Sequence, residues 1–461
     1  MRLRSGVPAA LAGASGRAYD DFVKPFTKSP APAGDPHHGG SARRRRRSAT
    51  APTSDTDVLV VGAGPSGSSA AYHLARQGID VLLVDKATFP REKVCGDGLT
   101  PRGVSALRRM GVDPEEPGFT PVEALRTYGT DGTVITLRWP DTRSFPPLGV
   151  VRTRFDLDDL LVNRAIKAGA RFREGVEVSG PLDDRGWVCG AEVTAGGEVG
   201  RVRARYVVAA DGASSRFAAR RGVSRIEGRP VAAAARRYYR SPRAQEPVLE
   251  SFLSLQERSG LLAGYGWVFP VGDGLYNVGV GVLRSPKHSK EMTARKVMAR
   301  FVRQLPPEWR MDESNAVGPL LSGPIPMGIN RNPLAVPGML VVGDAGGIVN
   351  PFNGEGIAYA IESGELAAEL LGDALARNRP AIAHMYPSLI RERYERYFLI
   401  GRNWLKLLGN PTFMRFAVKH GIPRERLMRF ALRFMANLSD GRGGSRQDKL
   451  MHAILSLAPE R

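Results

Sequence analysis

Cysteine is scarce in this 461-residue chain: only Cys95 and Cys189 occur. Two thiols and seven scattered histidines provide no zinc or iron–sulfur spacing. A chain of this length also needs no disulfide staple, so a reducing compartment is expected. Long apolar runs are missing too. No stretch approaches the roughly 18 uninterrupted apolar residues of a membrane-spanning helix, so any contact with a membrane is expected at its surface. A strong charge excess is absent from the body of the chain. The formal net charge is +20, but residues 1–54 carry +7 and residues 380–461 carry +9. A near-neutral body argues against an inactive basic protein that simply coats nucleic acid. Basic ends suit an anionic membrane surface as well as they suit nucleic acid.

Length predicts two or three domains. Residues 1–54 are rich in Ala, Gly, Pro and Ser without apolar periodicity and read as a disordered basic extension. The Arg43–Arg47 run precedes polar residues where an export signal would need an apolar stretch. A transit-peptide reading rests only on the Arg and Ser content. Order is expected from Asp57. A strand over Val58–Val61, a helix over about 66–77 and a strand over Ile79–Val84 make a β–α–β unit. Two strands are expected over 124–139 around a turn at 130–132, a helix over 154–168, and a strand over Tyr206–Ala209. A β-rich stretch spans about 231–283, followed by a strand over 340–343 and a helix from about Glu355. Beyond 380 the chain reads as basic helices.

Gly62-Ala63-Gly64-Pro65-Ser66-Gly67 is a GxGxxG turn between strand and helix. Its glycines allow the tight turn, the approach of a diphosphate, and close packing of helix on strand. The diphosphate would sit at the helix N-terminus, where free N–H groups and the dipole favour negative charge. Asp85 ends the second strand, where an acid meets ribose hydroxyls and disfavours a 2′-phosphate, with Lys86 beside it. Two later strands end in Asp211-Gly212 and Gly343-Asp344. Taken alone, Asp211 is equally a turn residue. A helix N-terminus at Gly356-Ile357 would stabilise the negative edge of a reduced flavin.

These three motifs in this order resemble the large FAD-dependent family that includes aromatic hydroxylases. The likeness implies FAD as cofactor, with Asp344 holding the ribityl chain. Phe89–Gly98 and Tyr265-Gly266-Trp267-Val268-Phe269-Pro270 narrow it further. They resemble the PxxxxCG and YxWxFP segments of the geranylgeranyl reductase family, over about residues 57–440. The likeness is greatest to bacterial members that saturate a double bond in the menaquinone side chain.

The resemblance implies a glutathione-reductase-like FAD-binding Rossmann domain, α/β in class, from residues 55–123, 150–228 and 335–379. An antiparallel β-sheet substrate domain would be inserted as residues 124–149 and 229–334, in the aromatic-hydroxylase arrangement. A basic helical region, 380–461, would follow. The implied reaction is hydride transfer from reduced flavin plus protonation of an isoprenoid double bond. Tyr265, Trp267 and Phe269 alternate along a strand and so share a face. They read as the wall of an isoprenoid pocket, with Tyr265 and Trp267 close to the chemistry, or as an aromatic core stripe.

Cys95, with Gly96, is implied to lie near the flavin as a proton donor or substrate gate. Otherwise it is a buried small hydrophobe. Asp97 is a second proton-delivery candidate. Arg154 is implied to lie against FAD, Arg91 is a weaker phosphate contact, and Val178 meets the adenine through its backbone. Cys189 reads as structural.

The basic C-terminal helices mix Phe, Leu, Met and Trp with Arg and Lys. They suit peripheral docking on the inner face of the cell membrane, where a lipid substrate dissolves. The same helices also suit packing on the body. No nucleic-acid partner is expected. The electron donor is open between NAD(P)H, a ferredoxin-like protein and a membrane carrier. The competing readings are a geranylgeranyl diphosphate or other prenyl-lipid reductase, an FAD monooxygenase and a flavin halogenase. A halogenase would carry WxWxIP where this chain has Tyr265 and Phe269.

Overall fold

The computed structural model describes residues 55–461 except 258–259, 285–292, 409, 422, 442 and 460–461. The basic extension over 1–54 lies outside the described residues.

β1 (Thr56–Val61) is apolar and β-branched and is buried along nearly its whole length. A continuous apolar run of this kind marks a strand covered on both faces of a parallel sheet. It pairs in parallel with β2 (Val81–Val84) on one side and with Glu198–Ala209 on the other. Met339–Val341 and Ala335–Val336 extend one edge, and Arg171–Arg173 extends the other. Among the described residues this sheet has eight strands, because Trp187–Ala195 and Val176–Asp184 fold back antiparallel from Glu198–Ala209.

α1 (Pro65–Arg76) forms the crossover between β1 and β2, with Pro65 in its first turn, where a missing N–H is harmless. α1 lies against the long helix Ile357–Ala376, backbone to backbone. A Cβ on Gly364 would sit 2.3 Å from Ser66 O, and Ser69 Oγ donates to Ile361 O at 2.8 Å. This contact ties the end of the chain's α/β portion to its beginning.

Among the described residues the second sheet has seven strands in the order Ala316–Pro326, Val231–Arg240, Leu275–Leu283, Gly264–Gly272, Val248–Phe252, Ala124–Tyr128 and Val134–Arg138. All neighbours are antiparallel except Val248–Phe252 with Ala124–Tyr128. The parallel pair arises because the sheet is assembled from two separate chain segments, which are free to meet in either sense. The Val–Gly alternation of Leu275–Leu283 also has a packing cause. A Cβ on Gly279 would sit 2.3 Å from Trp267 Cζ2, so the indole lies directly on that strand.

Observed boundaries differ slightly from expectation. The long helix begins at Ile357, and the strand read over 340–343 is Met339–Val341 followed by a 3-10 turn at Gly343–Ala345.

The C-terminal helices Tyr386–Leu408 and Glu425–Met435 pack on the body through Tyr394, Tyr397, Phe398 and Phe434. The last helix, Arg446–Ser456, starts with a capping box at Ser445 and Asp448. Asp448 also pairs with buried Arg433 at 2.9 Å. Among the described residues no helix is long and apolar enough to cross a membrane.

Candidate active site

The carboxyl ends of β1, β2, Glu198–Ala209 and Met339–Val341 share one edge of the parallel sheet, where open α/β sheets take ligands. Gly62 leaves β1 with φ +102°, and a Cβ there would sit 2.4 Å from Ala210 O. A Cβ on Gly67 would sit 1.8 Å from Gly62 O. Both positions require glycine. Gly64 faces open space, with Arg91 Nη2 the nearest group at 3.7 Å from its ideal Cβ. That gap, under a guanidinium and at the start of α1, suits a diphosphate. Pro65 and Ser66 are buried at the same helix end.

Asp85 accepts Ala63 N at 2.8 Å through Oδ2 and Ala87 N at 2.9 Å through Oδ1. A carboxylate has about four acceptor sites, so capacity remains for ribose hydroxyls. Val176 N donates to Asp85 O at 2.9 Å, which brings nearby Val178 to the same region. Lys86 is exposed.

Two acids lie at the other end of this edge. Asp211 accepts Phe217 N at 2.9 Å through Oδ2, while its Oδ1 is buried without a partner. Among the described residues the Asp344 side chain forms no hydrogen bond. Its Oδ1 lies 3.4 Å from the ideal Cβ of Gly356, at the N-terminus of the long helix. Lys93 completes this region. Its ammonium lies 3.8 Å from the ideal Cβ of Gly212. Burial pushes its pKa down, Asp344 opposes that shift, and Arg154 and Arg91 reinforce it. Lys93 was not singled out in the sequence, although it stands in the Phe89–Gly98 segment.

The two motif segments meet face to face. Ideal Cβ atoms on Gly96 and Gly98 would lie 3.2 Å from the Phe269 ring, and that of Gly96 lies 3.4 Å from Trp267 Nε1. Ring centroids are 6.1 Å apart for Tyr265 and Trp267, and 6.2 Å apart for Trp267 and Phe269. The three rings therefore form one wall.

A buried polar network holds that wall. Trp267 Nε1 donates to Asn277 Oδ1 at 2.9 Å. Asn277 Nδ2 donates to Cys95 O at 2.9 Å and to Asp97 Oδ2 at 2.7 Å. Tyr238 Oη donates to Asp97 Oδ2 at 2.6 Å, and Arg154 N donates to Oδ1 at 3.3 Å. Asp97 is 0% exposed and has φ +64°. Its carboxylate accepts from three separate elements and so anchors them to one another. Asn277 and Tyr238 were missed in the sequence; the lone polar side chain in the apolar Tyr276–Val282 run was the available signal for Asn277.

Arg154 is buried and binds Asp158 through two bonds, at 2.6 and 2.7 Å. Arg91 Nη1 reaches the same carboxylate at 3.0 Å. Asp97 N donates to Cys95 Sγ at 3.3 Å, and the Arg154 charge acts on the same thiol. Burial pushes the Cys95 thiol pKa up, against the pull of Arg154, so sulfur stays protonated at neutral pH. Both cysteines are free, and Cys189 lies half-buried in Trp187–Ala195. Tyr265 Oη donates to Asn353 O at 2.7 Å, joining the aromatic wall to the loop that enters the long helix.

The FAD binding domain family matches residues 55–388. A menaquinone reductase of Mycolicibacterium smegmatis is 37% identical over 383 residues, 83% of this chain and 91% of the relative. A digeranylgeranylglycerophospholipid reductase of Thermoplasma acidophilum is 32% identical over 355 residues, 76% of this chain and 86% of the relative. The chain belongs to the geranylgeranyl reductase family of FAD-dependent oxidoreductases. The crystal structure of a geranylgeranyl bacteriochlorophyll reductase-like protein from Thermoplasma acidophilum superposes on this reductase with a TM-score of 0.72. It is 26% identical and covers 87% of this chain and 99% of its own. The flavin-dependent brominase Bmp2 shares the fold, with a TM-score of 0.67 at 19% identity.

The reductase binds FAD, and its residues fit that cofactor. The glycine cradle, the open face at Gly64, the buried unpartnered Oδ1 of Asp211 and the Asp344 carboxyl beside Gly356 could each receive it. Asp344→Ala should leave the thermal stability of the FAD-free protein unchanged. It should raise the FAD Kd about 10- to 100-fold in fluorescence titration, the loss of one hydrogen bond to a charged group.

Burial pushes the Asp97 carboxyl up to about 6, against the pull of Tyr238, Arg236, Asn277 and Arg154. The folded state therefore keeps this proton to higher pH than the unfolded state does. The resulting stability is present below about pH 4 and is lost as pH rises through about 6. Asp97→Asn sets an amide against the Asn277 donor and should cost about 1–3 kcal/mol. In urea titrations the wild-type advantage should shrink between pH 4 and 6; a constant gap would show that Asp97 does not titrate there.

Proposed function

We propose that this reductase saturates one carbon–carbon double bond in the isoprenoid side chain of menaquinone. The observation that carries the reading is the meeting of Cys95–Gly98 with the Tyr265, Trp267 and Phe269 wall, beside the FAD-binding edge. The 37% identity to menaquinone reductases supports this substrate over the glycerophospholipids reduced by relatives at 32%.

Bound and reduced, FAD supplies the hydride that one alkene carbon receives. The protein's own contribution is positioning and exclusion of water. The three rings give a prenyl chain a flat apolar wall. The network through Asn277 and Asp97 keeps Trp267 from turning. Cys95, as a protonated thiol, lines the junction between the wall and Arg154. Gly62, Gly64, Pro65, Ser66, Gly67 and Arg91 would hold the diphosphate. Asp85, Lys86 and Val178 would face the adenosine half. Asp211, Gly343, Asp344, Gly356 and Ile357 would hold the flavin half.

A substrate dissolved in lipid calls for docking on the inner face of the cell membrane. The C-terminal helices offer the means: Leu407, Phe416 and Leu427 are exposed apolar side chains. Lys406, Arg424, Arg426 and Arg429 are exposed cations on the same helices. In cell fractionation the protein should follow the membrane at low salt and leave it at high salt; a protein in the soluble fraction at both would remove the docking surface.

Deleting the gene and weighing the cell's quinones by mass spectrometry tests the substrate. Menaquinone in the deletion strain should be two hydrogens poorer. Unchanged saturation of menaquinone alongside altered prenyl glycerolipids would move the reading to a lipid reductase.

A further inference from the structure

Saturating an alkene needs a proton as well as a hydride, and the arrangement around Cys95 suggests where that proton resides. Asp97 is committed to three donors. Cys95 is a thiol whose pKa burial pushes further up, which makes it a weak acid at neutral pH. One further acid stands beside the aromatic wall. Glu355 immediately precedes Gly356, the N-cap of the long helix. Its loop is fixed from three sides. Glu355 N donates to Asn353 Oδ1 at 2.9 Å, Asn350 N donates to Glu355 O at 2.9 Å, and Tyr265 Oη donates to Asn353 O at 2.7 Å. Burial pushes the Tyr265 hydroxyl pKa up, and the carboxylate form of Glu355 would push it further in the same direction.

The two carboxyl oxygens of Glu355 differ. Oε1 accepts Thr100 Oγ1 at 2.7 Å, whereas Oε2 is buried and has no partner. Thr100 can donate to Oε1 in either protonation state. A bare Oε2 would be an unpaired buried anion, which is costly. A protonated Oε2 carries a hydrogen that no other group holds.

We propose that Glu355 is the catalytic acid that protonates the alkene. The Glu355 Oε2–H bond breaks as a carbon–hydrogen bond forms at one alkene carbon. The other carbon gains the hydride, so the π bond is reduced, the flavin is oxidised, and Glu355 is left as a carboxylate held by Thr100. The proton and the hydride together account for both added hydrogens.

The charge environment agrees. Burial pushes the Glu355 carboxyl up to about 7. Thr100 and Arg102 pull it down, and Glu362 pushes it up. Tyr359 and Tyr397 also face it, and both stay neutral because burial raises their pKa values. An acid poised near neutrality suits proton transfer at physiological pH.

This inference rests on the prenyl-reductase reading, and the test separates the two. Dithionite-reduced holoenzyme is mixed anaerobically with a prenyl quinol, whose ring is already reduced, and single-turnover flavin oxidation is followed from pH 5.5 to 9 with the saturated product confirmed by mass spectrometry. Failure of the wild-type enzyme to oxidise its flavin with any prenyl substrate would sink the reading itself. With a working wild type, the rate should fall as pH rises through about 7. Glu355→Gln should slow it about 100-fold or more and remove that limb, with FAD affinity unchanged.

Thr100→Val should move the limb to higher pH, because it removes a bond that holds the carboxyl down. A purely structural glutamate would not show this shift. In FAD-free protein, difference infrared spectroscopy should show a carboxylic C=O band that titrates near pH 7 and is absent from Glu355→Gln. Glu355→Gln with wild-type rate and pH profile overturns the proposal. So does a Cys95→Ser variant that loses the limb while Glu355→Gln keeps it.

Discussion

The buried carboxylate of Asp97 is the contact on which the site depends. It is fully shielded from solvent and collects bonds from Tyr238, Asn277 and the backbone of Arg154. Those partners belong to two strands of the second sheet and to the start of the helix Arg154–Lys167. One side chain thus joins the Cys95 segment, the aromatic wall and the region beside FAD. Breaking a network of this kind strands several buried groups at once, so it holds a single arrangement. Flat contact of Gly96 and Gly98 with Phe269 completes the junction.

Division of labour follows from that junction. The parallel sheet supplies fixed N–H groups and acids for a cofactor at its carboxyl edge. The second sheet supplies apolar surface for a prenyl chain. A shared fold with halogenases fits this view, since the sheets position the flavin and the facing side chains select its task. The halogenase-like alternative is disfavoured where the wall begins with Tyr265 and ends with Phe269. Glu355 stands in the loop that enters the long helix, the loop to which Tyr265 of the wall is bonded.

Much of the fold was legible because it is periodic or local. The run in β1 and the GxGxxG turn predict a β–α–β unit whose geometry needs no distant partner. The hairpin over 124–138 and the long C-terminal helices follow from pattern in the same way. The parallel pairing of Val248–Phe252 with Ala124–Tyr128 was not legible, because nothing local sets the sense in which separated strands meet. The role of Asp97 was also missed. Its sequence neighbours suggest reactivity, whereas its spatial neighbours make it an anchor. The burial of Arg154 against Asp158 depends likewise on packing from other elements.

The sequence by itself determined the cofactor and the family. A glycine turn and an acid at a strand end are short-range features, and their chemistry is fixed by spacing along the chain. Tertiary structure alone decided which acids are free and which are committed. Asp97 meets Tyr238 and Asn277 across 141 and 180 residues, and Thr100 meets Glu355 across 255. Protonation depends on burial and on the hydrogen-bond partners that folding brings close, and these distances place both beyond local sequence pattern.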